Sequence, residues 1–384
     1  MSVSNHEHRR AFCVLLAATT LLGLAQGAWA SEPPLRIQSR SVVFSYPQKD
    51  PYDRSNHYGF NHAPSVARLD DGRLLCVWFS GPFEASVHQV ILASYSFDGG
   101  RNWEKPFVLQ DEPRASDFDP ALIVDGPRVW FFYVYGRWNR YPFMKSRKGE
   151  EQFIGPESYH LYSRWSDDFG KSWSEERLQH RGAGSRSNGI RLTTGELLLP
   201  AHDFRNRKES GVLKSDDQGQ TWRRVGQVHN SAGVDEPTIA ELRNGNVLMA
   251  LRTRDGHLWT ALSKDKGESW AEPKRHKLVA AAASHNLFRV SDGKVLLTHD
   301  ECKVGSRSPL TMRLTEEGNH WGDPLILAES AVPGEGNDYW SCQVTYPSVC
   351  ELPGKILLVV WAHINMSNTE QFGDISSARV EILD

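Results

Sequence analysis

The chain has 384 residues, 24% charged and 39% hydrophobic, with a formal net charge of −3. This is the composition of a soluble globular protein, long enough for one large core or two ordinary domains. The near balance of charge removes the electrostatic case for a nucleic-acid partner or an anionic membrane surface.

The first thirty residues read as an export leader rather than as part of the fold. "HEHRR" is a basic start, and "AFCVLLAATTLLGLA" is an apolar stretch short for a membrane span. Ala28-Trp29-Ala30 then supplies a small-x-small cleavage site. Cys13 has no small residues before it, so a lipid-anchored start is not expected. Cleavage before Ser31 leaves no membrane anchor, and the mature chain is expected in the periplasm or outside the cell. Loss of Arg9, Arg10 and Glu7 takes the net charge from −3 to −4.

From residue 31 onward, six strand–turn–strand units follow one another. They read "PSVARLDDGRLLCVWF", "PALIVDGPRVWFFYV", "NGIRLTTGELLLPA", "PTIAELRNGNVLMAL", "NLFRVSDGKVLLTH" and "PSVCELPGKILLVVWA". Short runs of branched and aromatic residues joined at a glycine turn, often Asp-Gly or Asn-Gly, are hairpin signals. No stretch shows convincing helical periodicity.

Most hairpins are followed by a further strand and a polar octapeptide ending in tryptophan. The copies are "SFDGGRNW" at 96–103, "SDDFGKSW" at 166–173, "SDDQGQTW" at 215–222, "SKDKGESW" at 263–270 and a degenerate "LTEEGNHW" at 314–321. Their acidic positions, Asp98, Asp168, Asp217, Asp265 and Glu316, are spaced by 70, 49, 48 and 51 residues. A period near fifty signals a propeller or solenoid. Six hairpins, each extended by further strands, predict an all-β six-bladed β-propeller of four-stranded antiparallel blades occupying 31–384. The sixth unit lacks its octapeptide, and "LRIQSRSVVFSY" near the start can supply its edge strand, closing the ring. The octapeptide itself reads as a structural fastener. Its Asp accepts backbone N–H bonds, its Gly permits a left-handed turn and its Trp packs between strands.

Four cysteines lie in this region, Cys76, Cys302, Cys342 and Cys350. Four admit three pairings, and the sequence does not choose among them. Cys76, inside the apolar "RLLCVWF", reads as a buried free thiol. No CxxC or paired-histidine spacing suggests a metal site.

The chemistry of a propeller gathers where its inner strands begin beside the central channel. The hairpin alignment puts His62 (one residue further out, before Ala63), Asp119, Asn188, Glu236, His285 and Tyr346 there. All six are polar or titratable, which points to a polar ligand site.

The octapeptides, "EPTIAELRNGNVLMALR" and "VTYPSVCELPGKILLVVW" resemble the sialidase (neuraminidase) superfamily, and in particular its bacterial members with BNR, or Asp-box, repeats. The resemblance spans nearly all of 31–384. It implies an exo-α-sialidase with retention, Tyr346 as nucleophile, Glu236 as the base beside it, and Arg252 and Arg307 as a clamp on the substrate carboxylate. Each role is chemically sound. Guanidinium groups grip a carboxylate bidentately, and a neutral phenol deprotonated during attack avoids repulsion by that carboxylate. No cofactor or metal is implied, and the expected partners are sialylated or other acidic glycans.

Two departures stand out. Sialidases usually open the first blade with Arg-Ile-Pro, whereas this chain reads "NHAPSV", leaving His62 or Arg54 to assist a two-arginine clamp. The family's acid/base aspartate belongs on the loop after the first hairpin, where "SGPFEASVHQ" offers only Glu84. Apolar neighbours such as Phe83 could raise its pKa for that task, with Asp119 as the rival acid or as a ligand for sugar hydroxyls. Asn188 and His285 complete the expected substrate contacts. The second blade also carries a long insertion, its octapeptide acid lying 42 residues after Gly126 against 20 after Gly245 in the fourth. Trp138 and Tyr141 in that insertion could stack on sugar rings. Alternatives to a sialidase are a hydrolase or lyase for another acidic sugar, such as a uronic acid polysaccharide, and a non-catalytic glycan-binding propeller.

Overall fold

The computed structural model describes residues 34–45, 58–82, 84–86, 88–113, 115–137, 158–204, 207–231, 233–302, 307–330, 342–367 and 370–383. The export leader, Arg54, Phe83, Trp138 and Tyr141 lie outside the described residues. Six antiparallel sheets follow in chain order, and the inner strand of each contacts that of the next, the sixth meeting the first. This is the six-bladed propeller. Five blades are built from consecutive strands. The sixth, Cys342–Leu352, Ile356–Ser367 and Glu370–Ile382, takes its outermost strand from Leu35–Phe44. That pairing runs from Leu35 against Ile382 to Phe44 against Ile375, so two distant segments share one blade.

Apolar residues alternate onto both faces of each sheet and fill the seams between blades. Trp78, Trp130, Phe131, Phe132 and Tyr133 are fully buried in the seams around the first two blades. Cys76 and Cys350 are free thiols, with Cys76 fully buried.

The octapeptides fasten these seams. In the third, the Asp217 carboxylate accepts from the Thr221 N–H at 2.9 Å and hydroxyl at 2.6 Å, and from the Ser215 hydroxyl at 2.8 Å. The two Thr221 bonds hold its pKa below the ordinary carboxylate range. Gly219 turns with φ 83°, and a Cβ there would lie 2.1 Å from Trp130 of the preceding blade. Trp222 meets Trp130 and Phe132 edge-on across the same seam. In the degenerate fifth copy, Thr315 still accepts from the Gly318 N–H at 3.0 Å, while Glu316 reaches outward to Arg243 at 3.7 Å.

The third blade departs from the pattern. Its inner strand is broken into Ala183–Gly184 and Ile190–Arg191, both paired with Leu197–Asp203. The residues between are not part of the ladder, and Ser185, Arg186 and Ser187 are buried there.

Candidate active site

Four inner strands share one local device. Each contains a residue–proline pair, Ala63-Pro64, Asp119-Pro120, Glu236-Pro237 and Tyr346-Pro347, at a shift in the pairing register. In each, the residue before proline is left-handed, with φ of 55°, 50°, 38° and 57° respectively. Proline cannot donate to the ladder and is tolerated where a bulge interrupts it. The left-handed turn breaks the alternation of side chains along the strand. A non-glycine residue held there costs about 1–3 kcal/mol, and four such residues gather at corresponding places.

Two of the four, Glu236 and Tyr346, carry functional groups that meet. The Tyr346 hydroxyl donates to Glu236 Oε1 at 3.3 Å and accepts from Arg252 Nη1 at 2.9 Å. The same Arg252 nitrogen lies 2.5 Å from Glu236 Oε1. Burial alone would raise the Glu236 carboxyl, but the charge and hydrogen bond of Arg252 overcome it and hold the pKa well below the ordinary carboxylate range. Burial pushes the Tyr346 phenol well up, so it is neutral at rest. Arg307 donates to the Gln343 side-chain oxygen and the Ala282 carbonyl, each at 3.2 Å, and its Cζ lies 5.2 Å from the Tyr346 ring centroid. Tyr346, Glu236, Arg252 and Arg307 therefore form one cluster drawn from three blades.

Glu84 and Asp119 face the same hollow. Burial raises the Glu84 carboxyl against the opposing fields of Arg307 and Arg252. Burial pushes Asp119 up to about 7, while the Tyr159 hydroxyl donates to it at 3.2 Å. Both carboxyls thus favour the protonated form far more than Glu236 does.

His62 and Asn188 need correction. The structure aligns Ala63, not His62, with the functional positions, so the first blade presents a methyl group. The His62 ring lies 4.2 Å from that of Tyr346, but burial and the charges of Arg307 and Arg186 lower its pKa well below normal. It is a neutral packing partner of the tyrosine and adds no positive charge to a clamp. Asn188 is committed to the scaffold, because its amide accepts from Leu122 N at 2.8 Å and donates to Val66 O at 2.9 Å. It ties three inner strands together. His285 is buried within the fields of Arg252 and Glu236, with both ring nitrogens unpartnered and its pKa lowered to about 3, chiefly by burial and His299.

The chain belongs to the family described as the BNR repeat-like domain. That family's model matches residues 72–358. A sialidase from Bacteroides fragilis (strain YCH46) is 25% identical over 318 residues, covering 67% of this chain and 56% of the relative. A sialidase from Paraclostridium sordellii is 24% identical over 270 residues, covering 60% and 64%. The chain thus spans less than two thirds of either relative. A protein of unknown function from Dyadobacter fermentans DSM 18053 superposes with a TM-score of 0.71 at 19% identity, covering 91% of this chain and all of that one. This likeness establishes the shared fold.

This BNR propeller adds one buried arginine that lies outside the hairpin and octapeptide motifs. Arg186, in the break of the third blade's inner strand, is 1% exposed and places its Cζ 4.8 Å from the Tyr346 ring centroid. The available signal is "GSRSNG", a basic residue two positions before the start of a hairpin. Elsewhere, a cleft of about 710 Å³ is lined by Asp125, Arg128, Asp167 and Arg191 among others. Both arginines there are already paired, with Asp167 at 2.6 Å and Asp125 at 2.8 Å. Among the described residues no group of three His, Cys, Asp or Glu side chains could hold a metal ion, and no helix is long and apolar enough to cross a membrane.

Proposed function

We propose that this protein is an exo-α-sialidase-like glycoside hydrolase that releases a terminal sialic acid with retention. One observation carries the reading, the contact of the Tyr346 hydroxyl with both Glu236 and Arg252. In the first step the Tyr346 oxygen attacks the anomeric carbon as its proton passes to Glu236. The bond to the departing alcohol breaks, and that oxygen takes a proton from Glu84. In the second step water, deprotonated by Glu84, attacks the same carbon. Tyr346 leaves and recovers its proton from Glu236, and two inversions give net retention. Arg252 and Arg307 bind the sugar carboxylate, which a guanidinium fork suits. Asp119 binds a sugar hydroxyl. The two relatives named sialidases support this substrate class, and the leader-like first thirty residues support an exported protein.

The methyl group of Ala63 favours a second reading, because a less cationic hollow also suits a uronic acid. A lyase acting on such a polymer would produce an unsaturated sugar that absorbs in the ultraviolet. Release of a chromophore from an aryl sialoside tests the first reading. Turnover is expected in the parent, with a loss of about a hundredfold or more in Tyr346→Phe. Absence of turnover on every sialoside, with activity on a uronate polymer, would transfer the assignment to the second reading.

A further inference from the structure

Arg186 is an unusual residue to find at the centre of a propeller. Its side chain is 1% exposed and its Nε has no partner. Among the described residues its hydrogen bond is a long one, from Nη2 to the Tyr346 main-chain carbonyl at 3.5 Å. A buried guanidinium without a close carboxylate costs stability. The carboxyls whose fields reach it are Asp119 and Glu236, both part of the hollow. The chain interrupts a β-ladder to place this group where it lies, with the guanidinium carbon 4.8 Å from the tyrosine ring centroid. A cation over an aromatic face is attracted by the ring, and more strongly in a desolvated setting. That attraction grows when the ring becomes a phenolate, because the added negative charge is shared with the ring.

We propose that Arg186 is a positioning residue that keeps a permanent positive charge over the Tyr346 ring and steadies the main chain of that residue, so that the phenol surrenders its proton more readily as it attacks. This rests on Tyr346 being the nucleophile. The division of labour among the arginines follows from geometry. Arg252 touches the phenol oxygen itself. Arg307, with its Cζ 5.2 Å from the ring centroid, lies nearer the surface at 7% exposed. Arg186, the most deeply buried, supplies charge without needing to meet the sugar. The other groups facing the phenol are Glu236, Glu84 and the neutral His62. None of these provides a permanent cation.

The test uses the full chain with all tyrosines replaced by difluorotyrosine, whose phenol ionises at lower pH, and follows the fluorine resonances by NMR during a pH titration. The Tyr346 signal is the one missing from Tyr346→Phe. In Arg186→Met it is expected to titrate about one pH unit or more above the parent. Arg186→Lys, which keeps the charge, is expected closer to the parent than to Arg186→Met. On an aryl sialoside Arg186→Met should lose about tenfold or more in kcat with KM changed less than about twofold, and Arg186→Lys should recover most of the loss. A purely structural residue would show no recovery with lysine. Identical titrations in parent and Arg186→Met would overturn the proposal, as would a raised KM at unchanged kcat, the mark of a direct carboxylate ligand. If Arg186→Met does not fold, Arg186→Gln takes its place under the same criteria. If the parent turns over no sialoside, the substrate assignment has failed, while the titration still decides the role of Arg186.

Discussion

Tyr346 and Asp119 occupy equivalent bulges but have different neighbours. Tyr346 is placed between an acceptor and a permanent donor, Glu236 and Arg252. Asp119 receives a hydroxyl hydrogen bond from Tyr159 but sits among other carboxyls, and burial takes its pKa to about 7. A carboxyl raised in the fold is neutral there at pH values where the unfolded chain already carries the charge. Its stabilising contribution is therefore complete below the ordinary aspartate pKa and is lost as pH rises toward about 7. Asp119→Asn should melt above the parent at about pH 8 and indistinguishably from it at about pH 4. Equal melting temperatures at both pH values would contradict that burial. The same reasoning separates the acids. Glu84→Gln should lose turnover of natural sialosides far more than of aryl sialosides, whose departing phenols need little protonation. Asp119→Asn should weaken both alike. Equal losses in Glu84→Gln would remove it as the acid. Much of this chemistry is legible in the residues, because Glu236 and Tyr346 each stand directly before a proline that opens an apolar run. Arg186 is marked only by its place two residues before a hairpin, because its segment lacks the proline of its counterparts, and the broken ladder brings it to Tyr346.

Strand pairs and turns hold these residues in place. The residue–proline bulge accounts for Ala63, which stands directly before its proline as Asp119, Glu236 and Tyr346 do, with His62 one residue further out. The positive φ falls on Ala63, inside the register shift between His62 and Ser65. Likewise Asn188 starts a hairpin like the others, yet without a following proline its amide enters the scaffold instead of the hollow. The octapeptides are legible as fasteners from their composition. What each one fastens is a tertiary fact, a seam with the preceding blade. Gly219 and Gly245 separate the two costs of adding a side chain. Both have φ of 83°, but a Cβ on Gly219 would meet Trp130, whereas nothing lies within 4 Å of one on Gly245. Gly245→Ala should cost about 1 kcal/mol of backbone strain, and Gly219→Ala about 1–3 kcal/mol more through overpacking. Chemical denaturation of the two variants checks this, and equal losses would mean that the seam yields without cost.

Closure is the property of the whole ring. The strand Leu35–Phe44 completes a blade whose other strands begin some three hundred residues later, so the ring closes through one sheet drawn from two distant segments. That closure sets the first blade, with Ala63 and His62, beside the sixth, with Tyr346. Blade number and the use of an early strand are visible in the repeats, since each is a matter of counting. The meeting of Arg252, Arg307, Glu236 and Tyr346 is expected only from the family resemblance, and that of Arg186 from neither source, because it depends on how elements of four blades lean toward one axis. The most direct test of the account is peptide mass spectrometry after reaction with a fluorinated sialosyl fluoride, which forms the glycosyl-enzyme and then hydrolyses slowly. The adduct is expected on the peptide that contains Tyr346 and is expected to be absent in Tyr346→Phe. A stable adduct on Glu236 or Glu84 instead, or none at Tyr346 in a preparation that turns over sialosides, would contradict it.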